Sequence, residues 1–154
     1  MSKQVLDVQQ MQHLQEMGLE LKDTTMYWAR CVHSGNHAEE LNKRYGDWFL
    51  TKGNKAQTVG LMHWEFIPAY TLQDVLDAMP VQIEIPLHPE MGKYELRIKR
   101  MVFNTGKVMH AVVYEKSDYI DWFVLQSNEE LIDAAYELLV WCIENKFVET
   151  NKNE

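Results

Sequence analysis

The sequence predicts an α+β fold, in which a mainly antiparallel sheet carries two to three helices packed on one face. Short turn sequences join many of the strand-like segments, which is typical of antiparallel pairing. Amphipathic helical patterns stand near the start, in the middle and near the end of the chain. The 154 residues, 46% apolar and 25% charged, predict one domain over 1–154 with frayed termini at 1–4 and 150–154.

Helical spacing of apolar residues predicts a first helix from about Leu6 to Met17. Gly18 follows it, where a left-handed terminator is expected. A short helical segment is also compatible with residues 38–43. These elements place helical structure on both sides of the first predicted strand.

The later helices are predicted mainly from their ends. One starts after Thr71, an N-cap residue, and stops at Pro80. Another starts with a capping box formed by Ser127 and Glu130 and runs to about Asn145. Its predicted buried face is Leu131, Ile132, Ala135, Leu138, Leu139, Cys142 and Ile143.

Seven strands are predicted from β-forming residues and alternation: Thr24–Val32, Asp47–Thr51, Val59–Phe66, Val81–Ile85, Tyr94–Phe103, Lys107–Glu115 and Tyr119–Gln126. The turn residues 52–55 predict a hairpin between the second and third of these. The turn at 104–106 predicts another between the fifth and sixth.

The net charge of −8 is unevenly distributed. Residues 93–116 hold six basic and two acidic side chains, a balance of +4, so the remainder sums to −12. Arg97 and Lys99 share one face of their strand and are candidates for binding an acidic partner surface or an anion. The alternative is that they neutralise nearby carboxylates, including those early in the last helix, or keep the sheet soluble. Global acidity argues against nucleic acid as the partner.

Cys31, His33 and His37 are the closest approach to a metal motif. A zinc site needs four ligands, or three and a water, and no fourth ligand is evident. The sequence therefore predicts no metal and no cofactor.

Two groups resemble catalytic pairs. His63 and Glu65 share one face of their strand, but acid–base chemistry needs a third group and a pocket. Glu84, Glu95 and Lys99 vaguely follow a nuclease pattern, although Arg97 stands where the lysine is expected. The simpler interpretation of both groups is a solvated strand face.

The cysteines and one tryptophan bear on environment and interfaces. Cys31 and Cys142 are far apart and fit a reducing cytoplasm, and Cys142 lies on an apolar helix face where a thiol is inert. No segment has the length of a membrane span or the form of a signal peptide, so a cytoplasmic location without a membrane partner is expected. Trp141 lies beside the main stripe of its helix and is a candidate interface residue.

Several stretches resemble small uncharacterised proteins encoded by gut bacteria and their phages. They are HLQEMG at 13–18 with MYW at 26–28, PAYTLQDVL at 68–76 and LIDAAYELLVWCIEN at 131–145. The similarity spans nearly the full length and implies a phage or mobile-element context. The family has no assigned activity, so it implies no catalytic or binding residue. Its members often have Asn-Gly after the last helix, where this chain has Asn145 and Lys146.

The function that these patterns favour is a non-catalytic, phage-related accessory protein that binds another protein or itself. Its candidate binding residues are Arg97, Lys99 and Trp141. One alternative is nucleic-acid or anion binding through the basic hairpin at 93–116. Another is an unrecognised hydrolase or nuclease that uses His63 and Glu65, or Glu84 and Lys99.

Overall fold

Helices and strands alternate irregularly along the chain, which a computed structural model describes over residues 2–55, 62–116 and 122–152. In chain order the described elements are α1 (Val8–Glu16), β1 (Met26–His33), α2 (Ala38–Tyr45), β2 (Phe49–Lys52), β3 (Met62–Pro68), α3 (Leu72–Asp77), β4 (Gln82–Glu84), β5 (Lys93–Val102), β6 (Val108–Glu115), β7 (Trp122–Asn128) and α4 (Leu131–Glu144). The α+β class predicted from the sequence is confirmed.

The strands form two antiparallel sheets, and the first has the order β2-β1-β3. The predicted hairpin between β2 and β3 is therefore wrong, because β1 lies between them and pairs with both. Trp28 of β1 is opposite Leu50 on one side and Ile67 on the other. Alternate residues of β1, namely Tyr27, Ala29 and Cys31, are buried, as expected of a central strand. The predicted start of β3 at Val59 lies outside the described residues.

The second sheet has the order β4-β5-β6-β7. The hairpin predicted between β5 and β6 is confirmed, with Val102 opposite Val108 at its outer end. Gly106 takes a positive φ of 84° in the turn, which a glycine adopts without steric cost. The predicted start of β7 at Tyr119 lies outside the described residues, and β7 continues to Asn128, two residues beyond the predicted end.

The core lies between one face of the second sheet and helices α1, α3 and α4. Val112 and Tyr114 of β6 are fully buried, as are Leu14 of α1 and Val75 of α3. The predicted buried face of α4 is largely confirmed. Six of its seven predicted residues are buried, while Leu131 is half-buried and Ala134, which was not predicted, is buried as well; the buried set is Ile132, Ala134, Ala135, Leu138, Leu139, Cys142 and Ile143. Helix α4 packs directly on this sheet, against β6 and β7, and α3 packs on α4.

The ends of α1 and α3 follow their sequence signals. Asp7 caps α1, so the helix begins at Val8 rather than at Leu6. Gly18 ends it with a φ of 94°, as predicted, and the Leu19 amide donates to the Leu14 carbonyl at 3.0 Å. Thr71 and Asp74 form a reciprocal capping box at the start of α3.

The start of α4 differs from the prediction. Ser127 lies within β7, opposite Ala111, and Glu130 is an N-cap without a side-chain capping bond. Asn128 instead accepts from the Glu130 amide at 3.0 Å. The predicted capping box is therefore wrong, because pairing with β6 holds Ser127 in the strand.

The end of α4 has an unusual backbone. Lys146 takes a φ of 63°, and it is the one non-glycine residue with a positive φ in the described ranges. The Phe147 amide donates to the Cys142 carbonyl at 2.8 Å, which closes the helix as a glycine terminator would. No helix among the described residues is long and apolar enough to cross a membrane.

Candidate functional site

The two basic residues singled out in the sequence are engaged inside their own hairpin. The Lys99 ammonium lies 2.5 Å from one carboxylate oxygen of Glu115, and the Arg97 guanidinium lies 3.7 Å from the other. Arg97 also contacts Glu95 at 2.5 Å. Two cations therefore meet two carboxylates, and Glu115 is only 7% exposed.

The predicted source of the neutralising carboxylates is only partly right. Lys107 pairs with Glu129, next to the last helix, at 2.9 Å. Glu95 and Glu115, which hold Arg97 and Lys99, come from β5 and β6 themselves. The binding role of Arg97 and Lys99 stays a prediction, and a face with balanced charges is a weak attractor for anions.

The residues considered for a metal do not assemble into a ligand set. Cys31 Sγ lies 3.9 Å from His33 Nε2, and His37 is exposed at the start of α2. Asn42 brackets the His33 backbone, accepting from its amide at 2.6 Å and donating to its carbonyl at 3.0 Å. Over the described ranges no cluster of three or more His, Cys, Asp or Glu side chains could hold a metal ion.

The catalytic candidates occupy solvated positions. His63 Nε2 is 3.9 Å from Glu65, and both side chains are at least 40% exposed. Arg30 on β1 takes the same carboxylate at 2.7 Å, so Glu65 serves a cross-strand ion pair. In the nuclease-like group, Lys99 is committed to Glu115 rather than to Glu84.

The Cys142 thiol is fully buried in the core. It has no solvent exposure and lies 3.8 Å from the Tyr114 hydroxyl. Burial raises the pKa of this thiol to about 11, which keeps it protonated and unreactive at neutral pH. This agrees with the interpretation of Cys142 as a structural residue.

Trp141 belongs to an aromatic cluster at the end of α4. Its ring stacks on Phe147 with centroids 5.4 Å apart and meets the edge of Phe123 at 5.7 Å. Phe123 in turn contacts Tyr94 at 5.5 Å. Trp141 is partly buried by these contacts, and its remaining surface faces a groove.

This groove, here called the edge groove, has a volume of about 270 Å³ and is formed by side chains of α1, β7 and α4. Its lining includes His13, Gln126, Tyr136, Glu137, Val140, Trp141 and Glu144. The His13 ring nitrogen and the Tyr136 hydroxyl are 2.6 Å apart and join α1 to α4 across it. The sequence indicated only Trp141, because the other residues come together through the packing of three elements.

The strand beside the edge groove is the outer strand of its sheet. β7 has the sequence WFVLQSN, without a charged residue or a proline. The other strand edges carry such residues: Lys52 in β2, Glu65 and Pro68 in β3, Glu84 in β4, and Arg97 and Lys99 in the part of β5 that β4 does not reach. Charged residues and prolines are the usual protection against edge pairing, and β7 lacks both.

The backbone of β7 has no further partner in the described part of the chain. Its ladder partner is β6, and no backbone hydrogen bond from outside the sheet reaches residues 122–128 there. A strand with one side paired presents unpaired N–H and C=O groups on the other. The edge of β7 and the edge groove thus form one continuous surface.

A second concave region, of about 560 Å³, lies between the segment after α1 and helix α3. Leu19 and Tyr70 lie in it, and its rim is acidic: Glu20, Asp23, Asp74, Asp77 and Glu149. Asp74 is already engaged by Thr24 at 2.8 Å and by its capping box. No pattern in the sequence indicated this cleft, because its residues are separated along the chain.

By its fold and this surface, the chain belongs to the class of α+β proteins that have an open, uncharged sheet edge beside a groove. Comparison with protein-family models, with curated proteins and with solved structures finds no match to the chain. The resemblance to small phage-encoded proteins stays a prediction.

Proposed function

We propose that this protein is a binding module that recognises an extended segment of another protein by strand addition at β7. The observation that carries the proposal is the uncharged seven-residue edge strand beside the edge groove. An accessory role of this kind also fits the resemblance to phage-encoded proteins.

Main-chain groups would supply the affinity. In strand addition an incoming segment pairs with the free N–H and C=O groups of an edge strand and becomes the next strand of the sheet. β7 offers seven residues for this, which is a common strand length in globular proteins. The sheet would grow from four to five strands.

The edge groove would supply the selectivity. Val124 and Gln126 are opposite Tyr114 and Val112, so they lie on the face of the sheet that α4 covers. An incoming strand places alternate side chains on that same face. A side chain level with Gln126 would enter the groove beside Val140 and Trp141.

The charges of the groove indicate which side chain it prefers. Glu137 and Glu144 stand among its lining residues, and no lysine or arginine does in the part of the chain described. A side chain with an apolar stem and a cationic end can pack on the ring of Trp141 and pair with the two carboxylates. The preferred segment therefore presents a lysine or an arginine at this position.

Site-specific photo-crosslinking in the source cell tests the proposal. A photoreactive residue at Glu144, on the groove, should give one main crosslinked product, and one at the exposed Leu87 should not. Gln126→Arg places a cation in the groove and should abolish the product. Gln82→Arg, the same change on the opposite edge of the sheet, should leave it unchanged.

The mass of the crosslinked peptide identifies the occupant. An extended segment of another protein with a basic residue at the crosslink supports the proposal. A crosslink to β7 of a second copy would keep strand addition and replace the partner by self-association. Identical products from positions 87 and 144, or a product insensitive to Gln126→Arg, would contradict strand addition.

A further inference from the structure

Glu137 is the one sheltered carboxylate without a partner in the part of the chain described. Its side chain is half-buried, and no hydrogen bond or ion pair from these residues reaches it. The other half-buried or buried carboxylates there each accept from a donor or a cation: Glu65, Asp74, Glu95, Glu115, Glu130 and Asp133. A carboxylate that loses water without gaining a partner costs free energy. A cation that enters the edge groove would remove this cost.

Glu137 lies on the side of α4 that faces the edge groove. Val140 and Trp141 follow it by three and four residues, which is the spacing of neighbours on one helix face. All three line the groove, and Glu144 lies about one turn further on at its exposed rim. The carboxylate of Glu137 therefore stands beside the apolar part of the groove.

The other titratable side chains deep in the groove do not balance the charge of Glu137. The His13 ring is engaged by the Tyr136 hydroxyl at 2.6 Å. Burial raises the pKa of Tyr136, and the carboxylates of Asp7 and Glu137 raise it further, so this hydroxyl stays neutral. Among the described residues no lysine or arginine lines the groove.

We propose that Glu137 is the specificity-determining residue of the edge groove and that it selects an arginine of the bound segment. This inference rests on strand addition at β7. Both carboxylate oxygens of Glu137 are free of partners in the described ranges, so they can accept two parallel hydrogen bonds from a guanidinium. A lysine ammonium offers no such fork and is more strongly hydrated. An arginine therefore gains more than a lysine at this half-buried carboxylate.

The register of β7 places the arginine along the incoming strand. Gln126 is opposite Val112 and lies on the sheet face that α4 covers. A residue of the incoming strand level with Gln126 points its side chain to the same face. Its apolar stem packs against Val140 and the remaining surface of Trp141, and its guanidinium reaches Glu137. The residues on either side of it point to the other face and stay outside the groove.

Glu144 provides a matched control. It lines the same groove and carries the same charge, but it is exposed, and solvent screens the pairing of exposed charges. Glu144→Gln and Glu137→Gln therefore change the charge of the groove equally. Only Glu137→Gln should change which side chain the groove selects.

Selection from a displayed library of random seven-residue segments tests the proposal. The wild-type protein should select segments rich in β-forming residues, with arginine at one fixed position. Glu137→Gln should select similar segments without that arginine, while Glu144→Gln should keep it. Lysine found as often as arginine at that position, or arginine that persists with Glu137→Gln, would overturn the proposal.

Synthetic peptides of the best selected segment measure the contribution of the pair. Replacing the arginine by citrulline, which is neutral and of nearly the same shape, should weaken binding to the wild-type protein about tenfold. Replacement by lysine should weaken it as well. With Glu137→Gln neither replacement should matter, because the acceptor is gone. A citrulline penalty of the same size in both proteins would place the arginine elsewhere and refute its pairing with Glu137.

Amide NMR with the same peptide separates this proposal from strand addition itself. Shifts in the signals of β7 that are lost with Gln126→Arg are the expected result. Binding without shifts in β7, or no selected segment at all, would contradict strand addition and with it the role of Glu137. Binding at β7 without a preference for arginine would refute only the role of Glu137.

Discussion

Lys99 and Glu115 lie on adjacent strands of one hairpin, and their ammonium and carboxylate groups are 2.5 Å apart. Lys99 is 42% exposed at its side chain and Glu115 only 9%. The nearly buried Glu115 carboxylate thus contacts the half-exposed Lys99 and lies 3.7 Å from Arg97. This arrangement neutralises Arg97 and Lys99, so the net charge of +4 at 93–116 rests on the other four basic residues, Lys93, Arg100, Lys107 and Lys116.

We expect Glu115→Gln to lower the free energy of unfolding by about 1–2 kcal/mol, because a charge-assisted hydrogen bond in a sheltered place is lost. Glu95→Gln makes the same charge change at a more exposed position and should cost about 0.5 kcal/mol or less. Urea midpoints of the two variants measure the difference. Equal midpoints would mean that the burial of Glu115 adds nothing.

The same pair of variants tests anion binding by the hairpin. Glu115→Gln releases Lys99 and leaves Glu95 to face two cations, whereas Glu95→Gln leaves Glu115 in contact with Lys99 and 3.7 Å from Arg97, so retention on a heparin column should rise more with Glu115→Gln. Both variants change the net charge by one unit, so a general charge effect cancels. Stronger retention of the Glu95 variant would show that Glu115 does not mask the cations.

Helix capping should be asymmetric between α3 and α4. Thr71→Ala removes a real capping box and should cost about 1 kcal/mol. Ser127→Ala should change stability by no more than about 0.5 kcal/mol, because Ser127 lies in β7 and caps nothing. Denaturant unfolding of both variants measures the two losses of stability. A larger loss from Ser127→Ala than from Thr71→Ala would support the capping box predicted from the sequence.

Lys146→Gly should stabilise the protein by about 1 kcal/mol. Lys146 holds a φ of 63°, a conformation that costs a residue with a Cβ atom about 1–2 kcal/mol and a glycine very little. Lys146→Ala keeps the Cβ atom and should give no such gain. A thermal midpoint that rises equally in both variants would assign the effect to the lysine side chain.

Stability should fall as the pH rises through the range in which Cys142 ionises. Burial raises the pKa of this thiol from 9.0 to about 11 in the folded protein, so the unfolded chain releases the proton first. The contribution of the protonated thiol to the free energy of unfolding is fully present below pH 9. It is lost as the pH rises toward 11, by roughly 3 kcal/mol in all. Burial also raises the pKa of Tyr114, which acts in the same direction.

Urea unfolding between pH 7 and pH 11 measures this slope. Cys142→Ala is less stable at every pH because it leaves a cavity, but its free energy should fall less steeply above pH 9. Equal slopes above pH 9 for the wild-type protein and Cys142→Ala would show that the pKa of Cys142 is not raised in the folded protein.

Local signals in the sequence were sufficient for several elements. Gly18, Thr71 and the turn ending at Gly106 act through their own backbone or through residues three or four positions away, so their structure follows from neighbours in the chain. The stripe of α4 was predictable for the same reason, since helical spacing alone decides which side chains share a face. Trp141 was recognisable as a residue beside that stripe.

Long-range pairing decided what those signals left open. Nothing local to Lys52 or Val59 could indicate that β1 lies between β2 and β3, because the choice depends on which strand pairs along both of its edges. Ser127 has a good capping sequence, yet pairing with Ala111 keeps it in β7. The hydrogen bonds of an extended sheet outweigh one capping bond.

The sequence by itself determined the α+β class, most helices and strands, and the uneven distribution of charge, because these depend on composition and short spacing. Only the tertiary structure decided that Arg97 and Lys99 form ion pairs with Glu95 and Glu115, and that β7 is the unprotected edge strand beside Trp141. Both outcomes depend on strand order and register, which bring together residues far apart in the chain and which no local pattern encodes.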